Sequence, residues 1–595
     1  VIAPDIYQAR LQKFELRAQQ LNRQLQWMSV LRLLIFAGIV ALAYKAVSTG
    51  AAIFIISSIV CLLFFFWTIR YYDALQQRVR FFKALAKINA QEAGFVQGRS
   101  FSTEQGEEFI DPHHPYSYDL DLFGDGGLYP YVNRCSTEFG RRALARALLH
   151  PNVSELEARQ EAIVELSKLI DFRQELQAQG SLQEKSEKGL RHLQLWLKSE
   201  PVFESARSYR IMFIFPVLTI SLLVYYLLTE QSDALNFFYY SFLLNLAIAF
   251  GFGKKIALQL SISQSVTSVL QQFAGQLRMI EALPVKSPLL VSLKARLKDE
   301  EVLASVSISR LSSLFNYLET IVNLVVSLLL NGIFLFHVHV LYALDQWKKR
   351  HATRVEGWLS ALGEMEELCS FANLSYNNPG FARPEITKEK YWSATDLGHP
   401  LIAENKRIPN SISFEKDRFI ILTGSNMSGK STFLRTIGIN LVLARAGSMV
   451  CARSFTCYPF SIRVSMRITD SLQDSESFFY AELKRLHGII EQLQSGEPTF
   501  ILLDEILRGT NSHDKHSGTV GLIRKLIAQQ AVGIIATHDL AVADLENQHP
   551  GYVRNYCFES NIVNDELLFD YKLKTGVCSK LSASFLMRKM GIIDG

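Results

Sequence analysis

Residues 424–431, Gly-Ser-Asn-Met-Ser-Gly-Lys-Ser, fit the pattern G-x-x-x-x-G-K-[ST] without a mismatch. No other feature constrains the chain as much. Glycines let successive backbone N–H groups turn inward around a phosphate, and the N-terminus of the next helix adds positive potential. Such a loop needs a buried strand before it and a helix after it. Residues 419–422, Phe-Ile-Ile-Leu, supply the strand, and the apolar-periodic run 432–446, stopped by Gly447, supplies the helix. Gly424, Ser425, Asn426, Met427, Ser428, Gly429, Lys430, Ser431 and Thr432 are therefore expected to hold ATP. Lys430 reaches the β- and γ-phosphates in this reading, and the Ser431 hydroxyl binds Mg²⁺.

A nucleotide site also needs acids at the end of a second buried strand. The run TFILLDEILRGT, 499–510, provides Asp504 for the Mg²⁺ shell and Glu505 to polarise the attacking water. A third apolar run, VGIIATHDL, ends at His538, placed to sense the γ-phosphate. Strands that alternate with helices and carry ligands at their carboxyl ends describe a doubly wound α/β sheet. Residues 385–595 are read as this ATPase domain.

The rest of the chain raises a different problem. Hydrophobic residues make up 49% of the 595, and the excess is gathered in a few runs. A bilayer core of about 30 Å takes about 20 helical residues. Four runs come close: 27–44, 47–69, 211–228 and 235–252. They pair into two transmembrane hairpins, with internal loops expected at 45–46 and 229–234. The plain alternative is a set of buried helices in a large soluble core. Arg10, Lys13, Arg17 and Arg23 precede the first run, and Arg70, Arg78, Arg80 and Lys83 follow the second. Arg207 and Arg210 precede the third, Lys254 and Lys255 follow the fourth, and the turn 229–234 has no Lys or Arg. By the positive-inside rule both hairpins enter from the cytoplasm and return to it, which leaves both termini and the bulk of the chain cytoplasmic. A fifth apolar run, 321–344, carries Asn323, Asn331, His337 and His339. It is expected to be a protein-buried helix, because polar residues in a span are costly. The resulting organisation is an N-terminal helix 1–26, a first hairpin 27–69, a helical region 70–208, a second hairpin 209–253, a helical region 254–384 and the ATPase domain.

The net charge of +5 is weak for this length and does not by itself argue for nucleic acid. Seven scattered cysteines show no C-x-x-C pair, so no structural zinc is expected, and a reducing compartment suits them. No signal peptide with a small-residue cleavage site is read.

The order of motifs resembles the MutS family of DNA mismatch-repair ATPases, a branch of the ABC-type ATPases. TGSNMSGKSTFLRTIG, 423–438, is similar to that family's T-G-P-N-M-x-G-K-S-T loop, with Ser425 for the proline and Ser428 for a common glycine. SESFFYAELKRL sits at the S-T-F-x-x-E signature, with Ser477 and Glu482 in the matching positions and Phe478 for the threonine. LLDEILRGTNSHD and ATHDL match two further motifs, and GHPLI and IPNSISF resemble the domain's entry. More weakly, 119–151 and 159–166 resemble the start of the family's helical core and lever. The resemblance implies a homodimer through the ATPase domains, with Ser477 of one subunit facing the γ-phosphate held by the other. The plain alternative is that Ser477 only caps its own helix. The resemblance also implies DNA binding. Against it, no Phe-x-Glu wedge occurs, no β-rich stretch for a DNA clamp is evident between 253 and 345, and no C-terminal nuclease module is read. The expected fold is an ABC-type P-loop ATPase domain on a MutS-like helical core with two transmembrane hairpins. The expected function is a membrane-anchored MutS-like ATPase. The alternative is an ATP-driven membrane protein for transport, remodelling or nucleotide-gated assembly, with no DNA role.

Overall fold

The computed structural model describes residues 3–98, 104–182, 187–203, 206–299, 302–416, 418–425, 427–467, 478–507, 509, 511–563, 566–578, 587 and 592–593. Asn426 and Ser477 lie outside the described residues.

The nucleotide domain is built on six strands: β1 (Phe419–Gly424), β2 (Ser461–Ser465), β3 (Thr499–Asp504), β4 (Val532–Thr537), β5 (Val553–Val563) and β6 (Glu566–Thr575), in the order β6-β5-β1-β4-β3-β2. All neighbours are parallel except the edge pair β5 and β6. Every residue of β1, β3 and β4 is buried. That is why these strands read as continuous apolar runs, since a parallel sheet is covered on both faces. A second, four-stranded sheet that includes Trp392–Leu397 and Asn410–Ser413 packs beside it, with Trp392 and Phe414 against Phe500 of β3.

The remainder is helical. Between 253 and 345 the only strands among the described residues are the two-residue pair Lys298–Asp299 and Val302–Leu303. Ala3–Thr49 and Ala52–Val96 form a long antiparallel pair. The break falls at 50–51 and not at the expected 45–46. Gly50 takes the left-handed conformation (φ 66°) that ends a helix, while Lys45, Ser48 and Thr49 stay helical. The ends of this pair dock on the core through a buried polar cluster. The Tyr7 hydroxyl donates to Asn377 Oδ1 (2.7 Å), and Glu92 pairs with Arg134 and accepts from Asn373 and Asn377.

The second hairpin is Ile214–Thr229 and Ser232–Gly251, turning at Glu230 and Gln231. Both hairpins hold helices long and apolar enough to cross a membrane, four in all among the described residues. Their apolar side chains are largely exposed.

The run 321–344 departs from the expected buried helix. It breaks into a short helix, Leu324–Phe334, and the first turns of the longest core helix, Phe336–Asn377. Leu335, in the left-handed conformation (φ 48°), makes the corner. Val338, Leu341 and Leu344 are buried, whereas Leu324, Val325 and Leu329 are exposed. The polar residues are spent on the breaks. Asn323 Oδ1 caps the short helix, accepting from Val326 N, and Asn331 Oδ1 accepts from His337 N.

Two clips join the helices to the nucleotide domain. The buried Asp119 carboxylate accepts from the backbone N–H groups of Met466 (2.8 Å) and Arg467 (2.7 Å) and pairs with Arg485. Arg159 pairs with Glu367 of Phe336–Asn377, and its Nε donates to Ala446 O (2.9 Å) at the end of the helix Lys430–Arg445.

Candidate functional site

Three strands deliver the site to one edge of the sheet. Register places Thr537 beside Thr423 and Ala536 beside Asp504, so the loops after β1, β3 and β4 emerge together. Gly429 (φ 98°) precedes the helix that begins with Lys430. Lys430 is buried, and Nζ donates to Gly424 O (2.9 Å) and Ser425 O (3.0 Å). Burial pushes its ammonium pKa down, opposed by the carboxylates of Glu505 and Asp504.

Ser425 and Ser428 replace the proline and glycine of the resembled motif, and both side chains are buried. Among the described residues their hydroxyls have no hydrogen-bond partner, and a Cβ on Gly424 would stand 2.8 Å from Ser428 Oγ. Two unengaged hydroxyls inside a glycine turn fit a ligand rich in acceptor oxygens, because leaving such groups buried and unpaired is costly. Ser431 Oγ donates to Asp504 Oδ2 (2.5 Å). One hydroxyl and one carboxylate suit Mg²⁺, which draws most of its shell from phosphate oxygens and water. No group of three or more His, Cys, Asp or Glu placed to hold a metal occurs among the described residues.

Glu505 and Leu507 both have positive φ (48° and 60°), uncommon for such residues. Glu505 N donates to Ala536 O (2.9 Å), and Leu507 N donates to Glu482 Oε1 (2.6 Å). The acid turn is thus braced from β4 and from the helix Phe478–Gln494, which carries Glu482. His538 Nε2 lies 2.7 Å from Glu505 Oε1 and 3.3 Å from Lys430 Nζ. The structure therefore brings Lys430, Ser431, Asp504, Glu505 and His538 together. Met427 is exposed on the loop, and Thr432 lines the cleft.

The cleft, about 430 Å³, also takes in His399, Ile402, Arg407, Ile408, Phe558 and Tyr571, none of which the sequence singled out individually. The Tyr571 ring would touch a Cβ on Gly429 (3.0 Å), and Tyr571 O accepts from Asn410 Nδ2 (3.0 Å). Burial, with Arg435 and Arg407 nearby, pushes His399 down to about 4, so it is a neutral group there. GHPLI marked His399 only as part of a domain entry. Tyr571 comes in on the antiparallel edge strand, with no local signal.

The MutS domain V family matches residues 420–589. The DNA mismatch repair protein MutS of Haloquadratum walsbyi is 34% identical over 196 residues, 32% of this chain and 20% of that protein. That of Chlorobium chlorochromatii is 34% identical over 214 residues, 34% of this chain and 24% of that protein. The DNA mismatch repair protein MSH3 of Candida glabrata is 31% identical over 250 residues, 39% of this chain and 24% of that protein. This chain spans between a fifth and a quarter of the length of these three relatives.

Proposed function

We propose, from the premise that this chain is a MutS-family protein by its C-terminal ABC-type ATPase domain, that it hydrolyses ATP as a homodimer held in a membrane by its two helical hairpins. One observation carries the reading: Lys430, Ser431, Asp504, Glu505 and His538 converge around a glycine turn with two unengaged hydroxyls. Lys430 and the loop N–H groups bind the phosphates. Ser425 and Ser428 donate to phosphate oxygens. Ser431 and Asp504 hold Mg²⁺, which neutralises phosphate charge and fixes the phosphate geometry. Glu505 orients and polarises the attacking water, and His538 positions Glu505. Equal hydrolysis by the wild type and Glu505→Gln would sink this assignment.

Ser477 completes the site from the partner subunit, as the resemblance implies. The membrane reading rests on four long apolar helices with exposed side chains and on the Lys/Arg asymmetry, which puts both termini in the cytoplasm. In intact cells, a cysteine at Ser232 should label from outside and one at Gln494 should not. Outside labelling at Gln494 would overturn the topology.

The relatives' names speak of mismatch repair, and DNA binding by the helical core follows from that likeness alone. A second reading, in which the motor acts on the hairpins, has support from the helix Phe336–Asn377. That helix runs from the Arg159 clip beside the nucleotide domain to the base of the second hairpin, where His339 stacks on Phe213. Binding of detergent-purified protein to homoduplex, mismatched and branched DNA across a salt series decides between them. A flat response without DNA-stimulated hydrolysis removes the DNA role.

A further inference from the structure

One face of the short helix Leu324–Phe334 has no cover among the described residues. The helix has 11 residues, about 16 Å of helix, roughly half a bilayer core. Leu324, Val325, Leu328, Leu329 and Phe334 are all more than two-fifths exposed. No Asp, Glu, Lys or Arg occurs from 320 to 344.

Its surroundings say what covers it. The helix packs on the second hairpin, where a Cβ on Gly332 would collide with the Phe242 ring (2.2 Å) and Asn245 Nδ2 donates to Gly332 O (2.8 Å). Asn245 also donates to Thr219 Oγ1 (3.0 Å), which pairs with Ser241 Oγ (2.6 Å), so a polar seam runs through this apolar unit. Small residues and interhelical hydrogen bonds are how helices associate where lipid removes the hydrophobic drive.

The flanking helices say how far it goes. Ala304–Glu319 enters the corner and Phe336–Asn377 leaves it, and the two pack on each other in the soluble core. Trp347 Nε1 donates to Ser307 O (2.8 Å), and Leu311, Phe315, Leu341 and Leu344 are buried. The chain therefore departs and returns on one side, and the axis turns by 112° where Leu324–Phe334 begins. A full crossing would pull these packed helices apart. Irregular backbone at membrane depth must have its polar groups satisfied, and here they are. Asn323 caps the start of the helix, Leu335 N donates to Asn331 O (3.0 Å), and Asn331 Oδ1 accepts from His337 N and faces His337 Nδ1 (3.0 Å).

We propose that Leu324–Phe334 is a re-entrant membrane element that lies among the acyl chains of one leaflet only, the leaflet on the side of the ATPase domain. This rests on the reading that the second hairpin spans the bilayer.

The test uses full-length protein in liposomes, in a Cys61→Ser background, with a fluorophore on Val325→Cys, Leu329→Cys, Ile220→Cys or Gln494→Cys. Lipids carry a quencher near the headgroup or near the acyl terminus. Labels at 325 and 329 should lose most of their fluorescence to the shallow quencher and little to the deep one. Ile220, near the middle of the hairpin's first helix, Ile214–Thr229, should show the reverse order, and Gln494 should respond to neither. If Ile220 is quenched while 325 and 329 are not, the hairpin reading stands and the re-entrant element falls. If Ile220 is not quenched, the membrane reading itself fails. Deep quenching at 329, with labelling from the far side, would mean a span and overturn the proposal. So would self-quenching between 329 labels on two copies without lipid quenching, which assigns the face to a second copy of this chain.

Discussion

The strand Val532–Thr537 and the helical stretch 53–67 are both strongly apolar, and they end in opposite places. Each residue of the strand is buried between layers of its own chain. In the helix, Ile53, Ile56, Leu63 and Phe66 are all more than half exposed. Apolarity requires only that water be excluded. Neighbouring helices exclude it in one case, and in the other the described residues of the chain leave the face uncovered. The strand's burial also fixes a site, because β1, β3 and β4 can carry ligands to one edge only while their flanks are covered.

Glu505→Gln should keep ATP binding and lower turnover by about 10²–10³, the cost typical of a lost catalytic group, whereas Lys430→Ala should weaken binding itself. Trapped-nucleotide and steady-state assays on one preparation separate the two.

A shared site gives the next largest effect. Lys430→Ala and Ser477→Arg chains, each inactive alone, should recover up to about half of a dimer's activity when mixed, since both lesions fall in one of two sites. If Ser477→Arg alone hydrolyses at the wild-type rate per folded molecule, the composite site is refuted.

Truncation sharpens the contrast in burial. Leu502→Ala in β3 should cost about 2–5 kcal/mol, seen as a lower midpoint for loss of nucleotide binding on heating in detergent. Leu63→Ala, on an exposed helix face, should leave that midpoint in place. Equal losses would mean that the first hairpin is part of the soluble core.

The smallest effect is a pH slope. His114 Nδ1 accepts from Tyr116 N (3.4 Å) and Ser117 N (3.2 Å), and burial, with His150 nearby, holds its pKa at about 4 against an ordinary 6.5. Between these values the unfolded chain binds a proton there that the folded chain does not. Its contribution is complete above about pH 6.5 and is lost as pH falls towards 4. His114→Asn should flatten the fall in thermal midpoint between pH 7 and 5, and an unchanged slope would place the titration elsewhere.

Much of the nucleotide domain was legible because its chemistry is local. The glycine turn, the acids at 504 and 505 and the histidine at 538 each sit at the end of an apolar run, and parallel pairing brings the run ends together. Tyr571 and Arg407 were not legible, because edge pairing and a loop from the second sheet bring them to the cleft. The run 321–344 misled for a physical reason. Along the sequence Asn323, Asn331 and His337 weigh against a membrane span and so favour one buried helix, but in the structure they satisfy the backbone at its breaks. The first hairpin's turn slipped to Gly50 because Lys45 tolerates a helix and glycine supplies the left-handed stop.

The helix Phe336–Asn377 is unbroken over 42 residues, about 63 Å at 1.5 Å per residue. One end abuts the short helix Leu324–Phe334, and Glu367 on its length is clipped through Arg159 to the end of the helix that starts at Lys430. Linkage is reciprocal. If nucleotide shifts this helix, then whatever in the bilayer resists the shift alters nucleotide affinity by the same factor. If the hairpins also span a bilayer as proposed, lipid thickness and lateral tension act as effectors of the ATP site, and a binding isotherm measured in detergent differs from one measured in a membrane.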